Sequence, residues 1–256
     1  MGIYYSQHGE DFLLDRIFEG KSDGFFVEVG CLDGIEFSNS YFFEEKGWTG
    51  LCIEPHRDFL TALRKNRPRS TVVPYAIGEE DRDDVTFYAN KLGSLSTLDK
   101  GEEKRWEEDY KDFFFGFEEQ KVSVRKLTTV FMEQGVTEID FLSLDIEGFE
   151  IFALKGLDLK KFRPKVFVIE YKNDEQRQQI ENMLTPHGYF YLGNLGCNSF
   201  FSLEKSHSNI INGTYGTIKL AHIDMDGTRN MHTANLLRPS FVRKATYHLK
   251  RILGIT

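Results

Sequence analysis

Carboxylates at the ends of apolar runs are the residues of this chain best placed to do chemistry. Glu28 lies in "FFVEVGCLDG", Glu54 ends "GLCIE" twenty-six residues later, and Asp145 and Glu147 stand together in "LDIEGFE". Between the first two, Gly30 and Gly34 turn the chain from an apolar run toward a segment of helical spacing. A dinucleotide loop reads G-x-G-x-x-G, because its second glycine lets the backbone approach a pyrophosphate. Leu32 occupies that position, and no G-x-x-x-x-G-K-[ST] phosphate loop occurs in the chain. Two acids without a phosphate cradle suit a cationic ligand that carries no phosphate.

The elements that must position these acids can be read from periodicity. Five short apolar runs, 25–29, 50–54, 70–77, 139–145 and 165–171, alternate with segments of helical spacing at 38–46, 57–66, 127–134, 147–155 and 174–184. Strands alternating with helices predict right-handed βαβ units around a parallel sheet. Ahead of them, "SQHGEDFLLDRIFEG" sets Phe12, Leu13, Ile17 and Phe18 on one helical face and stops at Gly20. After His187, adjacent strands at 188–193 and 197–203 predict an antiparallel hairpin closing one sheet edge. The expected fold is therefore α/β, a mostly parallel seven-stranded sheet with a C-terminal antiparallel hairpin. The segment 91–120 mixes acids with Trp106, Tyr110 and Phe113 to Phe115 and interrupts this rhythm. It is expected to be an inserted lid or substrate region, with aromatics such as Trp106 available to stack on a sugar face or a flat metabolite.

Composition excludes several classes. A chain of 256 residues with 40% hydrophobic and 14% aromatic residues can fill a real core. A net charge of -8 argues against a general nucleic-acid binder, which needs clustered Lys and Arg. Cys31, Cys52 and Cys197 are odd in number and form no C-x-x-C pair, so neither a disulfide framework nor a zinc site is expected. With no secretory signal and no apolar span, a reducing cytosol is the expected location, and the Asn212-Gly213-Thr214 sequon reads as chance.

In an open parallel sheet the ligand lies beyond the carboxyl ends of the strands. That rule gathers Glu28 to Gly34, Glu54, Ala76 to Gly78, Asp145 to Gly148 and Glu170 on one rim. A suitable cation without phosphate is S-adenosylmethionine, which carries an ammonium, a sulfonium and a ribose diol. Glu28 would act through the turn near its aminocarboxyl end, and Glu54 would accept from both ribose hydroxyls.

The order "SQHGED" (6–11), "FVEVGCLDG" (26–34), "SNSYFFEEKGWTGLCIEP" (38–55), "RKNRP" (64–68), "AIGEEDRDDVTFY" (76–88), "STL" (96–98) and "IDFLSLDIEGFEIFALKGL" (139–157) resembles the FkbM-type S-adenosylmethionine-dependent methyltransferases. The resemblance spans roughly residues 4 to 203 and is most specific in S-Q-x-G-E-D, S-N-x-Y and D-x-E-G-x-E. It implies a Rossmann-like class I methyltransferase fold and O-methylation of a hydroxyl, frequently on a sugar of a surface polysaccharide or on a natural product. Such proteins often carry Ala-Asn where this chain has Cys31-Leu32.

An already activated methyl leaves the protein two tasks, alignment and removal of the hydroxyl proton as the C–O bond forms. Asp145 and Glu147 are the expected catalytic acids. Their plainer alternatives are local: Asp145 could cap the following helix, and Glu147 could complement its dipole. The pair could also chelate a divalent ion such as magnesium. His8 is an alternative base in an N-terminal flap. The cofactor set is Gln7, Glu28, Gly30, Asp33, Gly34, Asn39, Glu54, Pro55, Ala76, Ile77 and Asp145, with Glu10 holding the cofactor or the flap. Ser94, Ser96, Glu147 and Glu170 are expected to meet the substrate. Tyr41 could face the ligand, but at least two of Tyr41, Phe42 and Phe43 must be core, and Glu150 is expected to be an exposed helix residue.

Three readings compete: a sugar-directed O-methyltransferase, or one acting on a small natural product; a nucleic-acid or protein N-methyltransferase; and a silent cofactor-binding module. Amino-directed nucleic-acid enzymes grip a planar amine with D/N-P-P-Y/F, which "DIEG" is not. The methyltransferase domain is expected over 1–203 and a C-terminal extension over 204–256. From Arg238, "RPSFVRKATYHLKRILGIT" spaces Phe241, Ala245, Leu249 and Ile252 on one side, with Arg243, Lys244, Lys250 and Arg251 largely elsewhere. This basic amphipathic helix would either dock on the domain or make a peripheral contact with anionic lipid.

Overall fold

The computed structural model describes residues 3–91, 93–109, 114, 116–213, 217–223 and 229–235. The basic helix expected from Arg238 lies outside the described residues. In chain order the elements are α1 (Glu10–Ile17), β1 (Phe25–Val29), α2 (Tyr41–Glu45), β2 (Thr49–Ile53), α3 (Arg57–Asn66), β3 (Ser70–Val73), β4 (Tyr75–Ile77), β5 (Arg82–Ala89), α4 (Glu102–Asp109) and β6 (Glu118–Arg125). They continue with α5 (Leu127–Glu133), β7 (Phe141–Leu144), α6 (Glu150–Lys155), β8 (Val166–Glu170), α7 (Asp174–Leu184), β9 (Phe190–Leu195), β10 (Asn198–Ser202), α8 (Ser208–Gly213), β11 (Thr217–Ile223) and β12 (Arg229–Asn235).

Seven strands form the main sheet in the order β3-β2-β1-β7-β8-β10-β9. The first five are parallel and β10 and β9 run antiparallel, as the sequence reading expected. Strand alternation divides the core into two layers. Val27, Val29, Leu51, Ile53, Leu142 and Leu144 face the side covered by α5, α6 and α7. Phe26, Cys52, Phe141, Val166 and Val168 face the side of α1, α2 and α3, and Glu28 belongs to that same register.

The run 70–77 is not one strand. Pro74 has no N–H to give the ladder, so pairing with β2 ends at Val73 and the chain passes to a second sheet, β4-β6-β5. The interruption at 91–120 connects β5 to β6 of this second sheet and carries α4. Trp106 is 1% exposed and packs with Leu95, Phe114 and Phe117, so it is the centre of a satellite core and not a stacking platform for substrate. Among the described residues no helix is long and apolar enough to cross a membrane.

Candidate active site

At the carboxyl ends of β1, β2 and β7 a cleft encloses about 780 Å³, its open mouth included. It collects many of the expected residues: Gly30, Glu54, Pro55, Ala76, Ile77, Ser94, Ser96, Asp145 and Glu147 all line it. Its wall also includes Leu32, Glu36, Phe37, Tyr75, Phe87, Leu98 and Phe149.

The floor is built by close approach of two loops. Gly30 has φ +88°, and a Cβ there would run into the backbone carbonyl of Asp145. Only glycine lets the loop after β1 lie against the loop after β7. Leu32, where a phosphate-binding loop would have glycine, sits at φ 49° and gives its N–H to Glu54 Oε2 at 2.8 Å. Leu32, Phe37 and Glu147 are three of the four described non-glycine residues with positive φ, and all three line the cleft. Such backbone costs energy and accumulates at functional sites.

Glu54 stands one residue beyond β2. Its Oε1 accepts from His56 N at 2.8 Å, and burial pushes its carboxyl up to about 7. Glu28 differs: it does not line the cleft. Ser38 Oγ (2.8 Å), the Asn39 N–H (2.6 Å) and Ser40 Oγ (2.7 Å) all donate to its carboxylate, with Arg67 Nη1 at 3.3 Å. Arg67, wholly buried, also reaches Gly34 O at 2.9 Å and Glu44 at 2.6 Å. Glu28 therefore reaches the cleft only through the loop that it and Arg67 hold in place.

Several other expected site residues lie outside the cleft. Asp33 Oδ1 caps its own turn, accepting from Ile35 N and Glu36 N, while Gly34 packs on Leu63 and Arg67. Asn39 Nδ2 donates to Ser143 Oγ at 2.9 Å. Tyr41 is half-buried beside Tyr5 and Arg67, whereas Phe42 and Phe43 are core. Gln7, His8 and Glu10 are buried in the N-terminal segment, whose Ser6 bridges to Phe37. The His8 ring packs against Gly196 in the turn between β9 and β10, and Asn198 Nδ2 donates to Glu10 at 2.7 Å. Glu170, also buried, ends β8 opposite Asn198.

Glu150 corrects an expectation. It is fully buried, not exposed, and its Oε1 accepts from Ile146 N and Gly148 N, both at 3.1 Å, while Oε2 accepts from Gln176 at 2.9 Å. Burial raises its pKa. The last acid of D-x-E-G-x-E thus fastens the loop that carries Asp145 and Glu147. Arg67 was the other structural anchor that no local signal revealed. Among the described residues no cluster of three or more His, Cys, Asp or Glu side chains could hold a metal ion.

The cleft fits S-adenosylmethionine: a glycine floor without a phosphate cradle, a buried carboxylate at the end of β2, and four acids, Glu36, Glu54, Asp145 and Glu147, around a cationic ligand. Residues 28–196 match the model of the Methyltransferase FkbM domain, and the chain belongs to that family. It is an S-adenosylmethionine-dependent methyltransferase. Among curated proteins none matches the chain. Solved structures with similar backbones include a precorrin-6y C5,15-methyltransferase from Geobacter metallireducens, at 10% identity and TM-score 0.41, covering 91% of this chain and 86% of that one. Another is a TehB-like SAM-dependent methyltransferase from Corynebacterium glutamicum, at 11% identity and TM-score 0.38, covering 77% and 88%. These are distant likenesses, and the family membership rests on the sequence match.

Proposed function

We propose that the protein transfers the methyl group to a hydroxyl, most fittingly that of a sugar in a glycan or polysaccharide, with Asp145 receiving the hydroxyl proton. The observation that carries the reading is the pair of carboxylates, Asp145 and Glu147, lining the cleft on the loop that abuts Gly30. Bound S-adenosylmethionine supplies a methyl on a sulfonium, already activated for attack. Glu54 holds the ribose diol and fixes the cofactor's register over β2. Asp145 accepts the proton late, as the C–O bond forms, because an alcohol is far less acidic than a carboxylic acid. Glu147, held in a strained backbone, orients the acceptor hydroxyl toward Asp145. A carboxylate pair without D/N-P-P-Y/F after β7 favours a hydroxyl over a planar amine.

The test is incubation with labelled S-adenosylmethionine and a panel of glycans, with mass spectrometry for the gain of one methyl, repeated for Asp145→Asn. The expected outcome is methylation of a glycan hydroxyl, with Asp145→Asn keeping cofactor affinity and losing turnover by about 10²–10⁴-fold. Methylation found only on amines, or normal turnover by Asp145→Asn, would sink the assignment.

A further inference from the structure

Ser94 and Ser96 read from sequence as contacts for a polar substrate, but the segment that carries them is tied to the other end of the cleft. Asn90, which starts this segment, receives the Nε2–H of His56 on its carbonyl at 3.0 Å, and His56 follows Glu54 and Pro55 at the end of β2. His56 is buried, which lowers its pKa, and its Nδ1 accepts from Asp58 N, so the ring is neutral and committed at both nitrogens. Beside it, Arg57 N donates to Gln120 Oε1 at 3.1 Å, joining the start of α3 to β6. Gly93 adopts φ +78° and lies so close to Leu32 and Phe59 that a Cβ would approach Leu32 Cδ2 to 2.6 Å and the Phe59 ring to 2.7 Å. Ser96 N donates to Gly93 O at 3.0 Å, and Thr97 exchanges backbone hydrogen bonds with Tyr88 at 2.8 and 3.0 Å. The segment is thus a fixed wall, fastened over β2 and the start of α3.

Strand order turns this into a statement about the ligand. Asp145 and Glu147 follow β7, and β7 is separated from β2 by β1, so the two ends of the cleft are about 10 Å apart across the sheet. The ribose belongs over Glu54 and the reacting methyl over the meeting of Gly30 with Asp145. A wall fastened to His56 and Phe59, just past Glu54 at the end of β2 and in α3, faces the adenosine end.

The geometry points to Gly93–Leu98 as the adenosine wall of the cofactor site, with the hydroxyls of Ser94 and Ser96 hydrogen-bonding the purine or its ribose and Leu32, Pro55, Ile77 and Leu98 covering the base. Ser96 Oγ already accepts from Asn90 N at 2.9 Å, which leaves its own proton to donate, as ring nitrogens of adenine require. Both serines are more than nine-tenths buried and still line the cleft, so their side chains meet its contents and not bulk water. The inference rests on the cofactor and not on the nature of the acceptor.

Calorimetric titration with S-adenosylmethionine and with 5′-methylthioadenosine, which has the adenosine but no aminocarboxyl chain, tests it. Ser94→Ala and Ser96→Ala should each weaken both ligands in parallel, by about five- to tenfold, the worth of one hydrogen bond left unmade. Glu147→Gln should leave 5′-methylthioadenosine affinity unchanged. Among the described residues the Ser94 hydroxyl makes no bond comparable to that of Ser96 with Asn90 N, so its variant keeps the test sound if Ser96→Ala loosens the segment. Wild-type affinity for 5′-methylthioadenosine in both serine variants would overturn the proposal, as would weakening confined to S-adenosylmethionine. A native protein that binds neither ligand would overturn the cofactor assignment and this inference with it.

Discussion

Glu28 and Glu54 come from neighbouring parallel strands, are both almost fully buried, and look alike in sequence, yet they sit in opposite electrostatic situations. Glu28 pairs with Cys52 inside the β1–β2 ladder, two residues before the glycine turn, so strand alternation aims it into the α1–α3 layer. There Ser38, Asn39, Ser40 and Arg67 surround it. Glu54 falls beyond Ile53, the last residue of β2, and alternation no longer directs it into either layer. The backbone N–H groups of Leu32 and His56 donate to its carboxylate, and it lines the cleft. One carboxylate completes the fold and the other borders the cleft. A displacement of two residues relative to the strand end separates the two situations.

That contrast is broken most severely at Arg67. The guanidinium lies between two buried carboxylates, Glu28 and Glu44, and also holds the carbonyl of Gly34. Arg67→Met would leave both acids buried without their counter-ion, a loss of about 3–5 kcal/mol. Chemical denaturation should show it as a shift of the midpoint, with little change in slope if the variant still folds in two states. Stability within about 1 kcal/mol of the parent would mean that Glu28 is not held as an ion, and the distinction drawn between the two acids would fall.

How far this was legible in the chain follows from the range of the interactions. The segments 57–66 and 174–184 coincide with α3 and α7 because their ends are written locally: His56 Nδ1 accepts from Asp58 N, and Asn173 Oδ1 from Gln176 N at 2.9 Å. The central strands are equally plain, being continuous apolar runs buried on both faces. The second sheet was hidden because β5 and β6 begin in charged, exposed residues, and only the alternation of Gln120, Val122 and Val124 marks the buried side. Glu150 was misread for a related reason. Its helical position said nothing of the backward turn that brings the N–H groups of Ile146 and Gly148 onto its carboxylate. The fate of Glu28 depends on an arginine thirty-nine positions away, and no local pattern announces a contact of that separation.

Glu54→Ala sharpens the comparison from the other side. Removing an ionised acceptor from the ribose hydroxyls should cost about 1.5–3 kcal/mol of cofactor binding, roughly a 10- to 150-fold weaker Kd. Unlike Arg67→Met, it should leave the ligand-free protein close to its original stability, because an ionised carboxylate buried without a counter-charge is itself unfavourable. Calorimetric titration beside thermal melting separates the two quantities. Unchanged affinity, or a fall in stability matching that of Arg67→Met, would place Glu54 with Glu28 among the structural acids.

The smallest expected effect concerns protons. Burial raises the Glu54 carboxyl to about 7, well above its ordinary value of 4.5. Between these two values the folded ligand-free protein binds more protons than the unfolded chain, so this group's contribution to stability declines as pH rises from 4.5 to about 7 and then levels off. Asp11, raised by burial to about 7 as well, adds a slope of the same sign, and comparison with Glu54→Gln isolates the part due to Glu54. Cofactor binding runs the opposite way, because the ionised carboxylate is the better acceptor for two hydroxyls. Affinity should therefore rise by up to about tenfold from pH 6 to pH 8, accompanied near neutrality by release of a fraction of a proton. Titration in buffers of different ionisation enthalpy measures that release directly. A flat affinity profile, or one that Glu54→Gln reproduces, would show that the acid at the end of β2 does not change its charge to receive the cofactor.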